Sequence, residues 1–230
     1  YHTEKNVTPI LYAEEEAGFM AGYAAVKDGF TKLGFQGGMA VPEVIRYGHG
    51  FAQGAEIAAK EMGLPEGSVS LMYNYSGDFA ASEESQERAA DWYQSGTEVI
   101  FACGGAVGDS VIAAAEAVDG KYVIGVDADQ YAESETVISS AVKMLANSVY
   151  QVLEAYYDNR WEGGKTLILN AANDGVGLDM ENSRWRKFND NDYNVLLNAI
   201  KDKKYNINRK TDIGVTELGL IYVNITEVRD

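Results

Sequence analysis

Two ionisable residues of opposite sign stand out by their place in the chain. Asp127 closes the apolar run Val123-Ile-Gly-Val-Asp127, and Lys143 ends a second short run, Thr136-Val-Ile-Ser-Ser-Ala-Val-Lys143. In an open parallel sheet, a carboxylate released at a strand's carboxyl end points into the crevice where such sheets hold ligands. A structural ion pair is the alternative use of the same two residues. Gly104-Gly105-Ala106-Val107-Gly108 lies between the run Val99 to Cys103 and a helical stretch, a place where backbone N–H groups approach ligands, though it lacks the lysine and hydroxyl of a phosphate loop. Phe79 sits in a loop before a helix opened by Ser82, placed either to stack on a flat ligand or to fold back onto the core. Arg46, just after Gly37-Gly38-Met39, reads as an exposed helix-surface residue near the same crevice.

Other chemistries find little support. The single cysteine, Cys103, excludes a disulfide scaffold and a cysteine-based zinc site, and its apolar neighbours make it a core residue. With only His2 and His49, a histidine-rich metal centre is not expected. Asp127-Ala-Asp129 resembles the paired carboxylates of metal-dependent phosphatases and glycosyltransferases. In those phosphatases the motif opens the fold and precedes a threonine, whereas here it follows three βα units and precedes Gln130 and Tyr131. Asp129 is expected to cap a turn or face solvent. No catalytic residue, cofactor or metal ligand is therefore assigned.

At 230 residues with 46% apolar side chains the chain can bury a substantial core. With 35 acidic against 19 basic residues the net charge is -16, which repels phosphate backbones and anionic lipid alike, so nucleic acid is not an expected partner. No apolar run reaches membrane-spanning length, and Tyr1-His2-Thr3-Glu4-Lys5 has no leader character.

Strand-like and helix-like stretches alternate through most of the chain, which predicts an α/β fold with parallel sheets flanked by helices. Strands are expected at 32–37, 68–73, 99–103 and 121–126, and helices at 43–62, 82–94 and 108–118. A first helix at 14–29 carries Gly18, Gly22 and several alanines on one stripe and is expected in the interior. A short strand at 7–12, strand 136–141 and an amphipathic helix running to about 160 look like members of a second layer. Strands at 166–170 and 220–225, with a helix at 192–201 between them, complete the reading.

A series of short motifs follows in order: Asn6-Val7-Thr8, Glu14-Glu-Glu-Ala-Gly-Phe-Met-Ala-Gly-Tyr23, Gly37-Gly-Met39 with Pro42, Val44, Tyr47 and Gly50-Phe51, Gly77-Asp-Phe79, Gly125-Val-Asp127 with Asp129-Gln130, Ser139-Ser140 with Lys143, and Gly175-Val-Gly-Leu178. Together, over residues 6 to 178, they resemble the basic membrane lipoprotein family, purine nucleoside receptors that serve as substrate-binding components of ABC transporters. The resemblance implies a two-lobed periplasmic-binding-protein fold of type I. Residues 31–130 and 165–230 would form one lobe, and 1–30 with 131–164 the later parts of the other, whose opening segment is absent from this chain.

By the same resemblance, Phe79 stacks on the purine base, Gly104 and Gly105 approach the nucleoside with main chain, and Asp127 accepts from the ribose hydroxyls. Lys143 would reach the sugar from the opposite lobe. Asp78 stands where the family has a small hydroxyl residue. The implied protein is a monomeric, extracytoplasmic binding protein, lipid-anchored or periplasmic, that closes on a nucleoside and delivers it to a membrane permease. It needs its missing opening segment or a completing chain, and Cys103 does not correspond to the family's lipid-modified cysteine. A ligand-sensing regulatory domain on the same fold is the rival reading.

Overall fold

The computed structural model describes residues 3 to 228. Tyr1, His2, Arg229 and Asp230, which fall within the expected lobe ranges and the opening read for a leader, lie outside the described residues. Seven strands form the main sheet. In chain order they are β2 (Lys32–Gly37), β3 (Val69–Tyr75), β4 (Val99–Cys103), β5 (Tyr122–Asp127), β6 (Val137–Lys143), β8 (Val176–Leu178) and β9 (Val223–Glu227), arranged β8-β6-β5-β4-β2-β3-β9. All neighbours are parallel except β6 and β8. β2 and β4 are buried along nearly their whole length, as non-alternating apolar strands must be when helices cover both faces. One face packs against α1 (Glu14–Asp28), α2 (Pro42–Glu61) and α6 (Asp190–Lys201), the other against α3 (Glu83–Gln94) and α4 (Val107–Glu116).

The chain leaves β2 toward β3 on one side and returns to β4 on the other. The crevice above Gly37 and Cys103, which are register partners, is therefore the topological switch point where such sheets bind ligands.

The small-residue stripe of α1 meets a matching one on α2. A side chain at Gly18 would strike the Tyr47 carbonyl, one at Gly22 the Phe51 carbonyl, one at Gly50 the Glu15 carbonyl and one at Gly54 the Phe19 carbonyl. The two helices thus touch backbone to backbone, which locks the amino end of α1 beside the first turns of α2. That seam fixes Glu14, Arg46 and Tyr47 with respect to one another.

A smaller layer consists of β1 (Ile10–Tyr12), paired in parallel with β7 (Leu167–Leu169), and α5 (Leu145–Tyr157). The Tyr12 hydroxyl donates to Ser148 Oγ at 2.7 Å, and Trp161 Nε1 to Thr8 Oγ1 at 2.9 Å, tying the helix and the turn after it to β1. The paired Leu11 and Ile168 are exposed, as are Val149, Tyr150, Leu153, Tyr156 and Tyr157 along α5. Two strands do not make an independently stable sheet, and this layer hangs on the larger one.

The division expected from the sequence is corrected in three places. The run 136–141 does not belong to the smaller layer: as β6 it pairs with β5, Asp127 facing Val142 in register. Helix α1 packs on α2 and the main sheet, so only β1 of the first thirty residues contributes to the small layer. The strand at 167–169, expected with the main sheet, pairs with β1 instead. Val176–Leu178, quoted only as a motif, is an edge strand.

Candidate functional site

All five residues singled out from the sequence, Phe79, Gly104, Gly105, Asp127 and Lys143, line one cavity of about 260 Å³ at the switch point. Its volume lies just below the range of about 300–1,000 Å³ usual for small-molecule sites. A larger hollow of about 520 Å³ lies between α5 and the strand layer, but its charged lining residues Arg160, Glu154, Glu162 and Lys165 pair among themselves. The smaller cavity has the convergent chemistry.

Asp127 ends β5 with φ of +66°, and the Ala128 N–H donates across it to the Val126 carbonyl at 2.8 Å. A γ-turn with positive φ at its centre is rare and strained, and such strain persists where the surroundings fix it. Here they do: Gln130 Oε1 accepts the Val126 N–H at 2.7 Å, and the Gln130 N–H donates to Ser140 Oγ at 3.0 Å. The turn swings the carboxylate over the cavity with its side chain 52% exposed. Its Oδ1 accepts from Lys143 Nζ at 3.0 Å and from the Tyr47 hydroxyl at 3.2 Å. Burial, then the Asp127 charge, pushes the Tyr47 pKa well up, so the phenol stays protonated and donates.

Lys143 does not reach in from the opposite layer. It ends β6, the strand next to β5, and its side chain is 15% exposed. The second contact of Nζ is Glu14 Oε1 at 3.4 Å, and the ammonium lies 5.6 Å and 5.4 Å from the ring centres of Tyr12 and Tyr47. Burial pulls the Lys143 pKa down, but the Asp127 and Glu14 carboxylates more than reverse this, and it stands above its ordinary value. The cation is thus caged by two carboxylates and two aromatic faces.

Arg46 is not the exposed surface residue expected. Its side chain is 17% exposed, and its guanidinium bonds Glu14 Oε2 at 2.8 Å and lies near Glu15 and Glu43. Sequence reasoning places Glu14 and Tyr47 only in motifs and Arg46 only on the helix surface near the crevice, and it misses that the three meet beside Lys143. The run of acids at 14–16 and the Arg-Tyr pair in the early turns of α2 were the available signals, and nothing local says that they meet.

Phe79 is 42% exposed and rests against the backbone of Gly38, where a side chain would collide with its ring. It is outside both core clusters. Its carbonyl accepts the Ala106 N–H at 3.0 Å, which fastens the loop to the start of α4. Gly104 has to be glycine because a Cβ would strike the Gly38 backbone, and Gly105 takes φ of +56°. Asp78 does not line the cavity; its Oδ1 accepts the Ala80 N–H at 2.9 Å and shapes the loop.

Cys103 borders the cavity but is buried, and burial, followed by the Asp127 charge, raises its thiol pKa well above normal. That opposes a nucleophilic thiolate. Asp129 accepts from the Tyr131 N–H and from Asn182 Nδ2, both at 2.9 Å, so the two carboxylates of Asp127-Ala-Asp129 serve different partners.

The site can offer a flat ligand an aromatic face and a diol a fixed, half-exposed carboxylate. Among solved structures, the chain superimposes on a solute-binding protein of an ABC transporter system from Aeropyrum pernix K1 with a TM-score of 0.65 at 22% identity, covering 87% of this chain and 60% of that one. It also matches a transcriptional activator of the comK gene from Bacillus halodurans with a TM-score of 0.70 at 16% identity, covering 88% and 68%. At such identities these likenesses establish the periplasmic-binding-protein-like α/β fold. Basic membrane protein B of Borreliella burgdorferi is 32% identical over 183 residues, 77% of this chain and 52% of that protein. The ABC transporter nucleoside-binding protein BmpA of Lactococcus lactis subsp. cremoris is 30% identical over 198 residues, 78% and 54%. The chain thus spans about half the length of these curated relatives. Residues 1–217 match the family model for PnrA-like ABC transporter substrate-binding proteins, and the chain belongs to that family.

Proposed function

We propose that the chain is part of an extracytoplasmic binding protein that captures a purine nucleoside and delivers it to an ABC permease without chemical turnover. The observation that carries this reading is the placement of Asp127, in a strained turn braced by Gln130 and Ser140 and with its carboxylate held by Lys143 and Tyr47, in one cavity with the exposed ring of Phe79. The base stacks on Phe79, worth about 1–3 kcal/mol with little discrimination among bases. The ribose diol donates to Asp127, and the turn at Gly104 and Gly105 closes the side of the pocket. The name of the Lactococcus relative supports a nucleoside ligand.

One wall of the pocket comes from polypeptide outside these 230 residues, which also covers the small layer. The uncovered Leu11–Ile168 pair and the apolar side of α5 support this, because contiguous exposed apolar surface marks a contact site. In this proposal the seven-stranded unit is one lobe, the β1–β7–α5 layer is the remainder of the other, and capture proceeds by closure of the two. An extracytoplasmic location and anchoring by lipid are part of the same reading. Among the described residues no helix is long and apolar enough to cross a membrane.

Thermal melting of the full-length protein with millimolar inosine, adenosine and uridine, and with ribose as control, tests the ligand class. A ligand that binds only the folded state adds RT ln(1 + [L]/Kd), about 2.7 kcal/mol at a hundred times Kd. Purine nucleosides should raise the melting temperature above ribose; equal curves for all four additions would exclude a nucleoside.

A further inference from the structure

Lys143 is expected by resemblance to be a sugar-contacting donor, yet the structure surrounds it as an internal counter-ion. An ammonium has three N–H groups. Two of them are committed, to Asp127 Oδ1 at 3.0 Å and to Glu14 Oε1 at 3.4 Å. We propose that Glu14 is the positioning residue of the site: it anchors the Lys143 ammonium from behind, so that Asp127 is held at a fixed angle and presents its second oxygen to the ribose diol. The proposal rests on the nucleoside reading and deepens it.

Several observations converge on Glu14. It is the first residue of α1, and its side chain is only 2% exposed, whereas the Asp127 carboxylate is half in solvent. A buried carboxylate is retained only where it is paired and hydrogen-bonded. Glu14 has a cation on each oxygen, Lys143 on Oε1 and Arg46 on Oε2 at 2.8 Å. It does not cap its own helix through a residue before it, since Ala13 offers no side-chain cap. The glycine seam between α1 and α2 sets where it stands.

The titratable and charged groups around Lys143 come from every packed element. They are Tyr12 of β1, Glu14 of α1, Glu43, Arg46 and Tyr47 of α2, Cys103 of β4 and Asp127 of β5. Of the carboxylates among the described residues, Glu14 and Asp127 are the two that contact the ammonium. Removing Glu14 leaves a single, solvent-screened counter-charge. The ammonium is then free to rotate, and the Asp127 carboxylate loses its fixed partner although Gln130 and Ser140 still brace the turn.

The test uses the full-length protein that contains these 230 residues, with [ε-13C]lysine, the Lys143 signal being assigned by its loss in Lys143→Arg. One sample gives two readouts: the pH midpoint of Lys143 without ligand, and inosine affinity from shifts on titration. In Glu14→Gln the midpoint should fall by about one unit or more, the effect of removing one adjacent opposite charge. Inosine affinity should fall about tenfold at neutral pH, and the alkaline loss of binding should move down in step. Glu14→Asp keeps the charge with a shorter reach and should fall between the two; it stands in for Glu14→Gln if that variant does not fold. Glu66→Gln, on an exposed site, should match wild type. An unchanged Lys143 midpoint in Glu14→Gln overturns the anchoring, and a shifted midpoint with unchanged inosine affinity overturns the positioning role. If no form binds inosine, wild type included, the nucleoside reading fails and the ligand half of this proposal fails with it, while the ligand-free midpoint still decides the anchoring.

Discussion

Gly22→Ala offers a sharp test of how the site is held, because two effects of opposite sign compete at one methyl group. Alanine in a helix interior is favoured over glycine by about 1 kcal/mol, so propensity alone predicts a stabilised protein. The structure predicts the reverse. A Cβ at Gly22 would collide with the Phe51 carbonyl oxygen and lie 2.8 Å from its carbon and 3.0 Å from the Ala55 nitrogen. All three atoms are backbone, so no side-chain rotation relieves them, and α1 and α2 must separate. Overpacking costs about 1–3 kcal/mol in ordinary cores, and the upper end applies where two helix backbones must move. The net effect is a loss of about 2 kcal/mol, and in a chain of this size about 2–4 °C of melting temperature per kcal/mol gives a fall of about 4–8 °C. Thermal unfolding followed by circular dichroism measures it. A melting temperature unchanged or raised would show that the helices are not in backbone contact, and the argument placing Glu14, Arg46 and Tyr47 together would lose its foundation.

Three further outcomes follow from the site. Phe79→Ala should weaken purine nucleoside binding by about 1–3 kcal/mol in calorimetry while shifting stability by less than about 0.5 kcal/mol, since the ring is outside the core. Cys103 should resist thiol-labelling reagents at pH 8 until the protein is unfolded by denaturant, because burial raises its pKa; fast labelling of the folded chain would contradict its placement. Glu15 has a raised pKa caused first by burial, its Oε2 lacks a hydrogen-bond partner, and Arg46 Nε lies 3.7 Å away. A carboxyl with raised folded pKa favours the folded state below its unfolded pKa of about 4.3 and loses that contribution as pH rises through the folded value. Glu15→Gln should therefore gain stability relative to wild type on going from pH 4 to pH 7, as read from denaturant midpoints; a pH-independent difference would refute the burial argument.

Much of the main sheet was legible because its strands are continuous apolar runs separated by helix-period stretches, and Asp127 could be placed at a strand end for the same reason. Position placed Phe79 and the Gly104 turn between strand and helix, and only the family resemblance pointed them at a ligand. The neighbourhood of Lys143 was not. Two parallel strands in one sheet ordinarily need a crossover of a dozen or more residues, usually helical, and residues 128–136 contain no helix. The run after Asp127 was accordingly read into another layer, and Lys143 with it, whereas a turn braced by Gln130 and Ser140 carries the chain back beside β5. The burial of Glu14 and Arg46 was not legible because charged residues in the first turns of helices usually face water. Their burial follows from the α1–α2 glycine seam, a pairing of two stripes far apart in sequence. The α5 helix was recognised as amphipathic, but amphipathicity does not say which neighbour covers the apolar side.

The central claim is that a nucleoside sits between Phe79 and Asp127. Crystals of the full-length protein grown with saturating inosine test it most directly. The account predicts density for the purine against the Phe79 ring and for the ribose 2′ and 3′ oxygens within hydrogen-bond distance of the Asp127 carboxylate, with Lys143 still on Glu14. An inosine bound elsewhere, or a ribose turned away from Asp127, would contradict it.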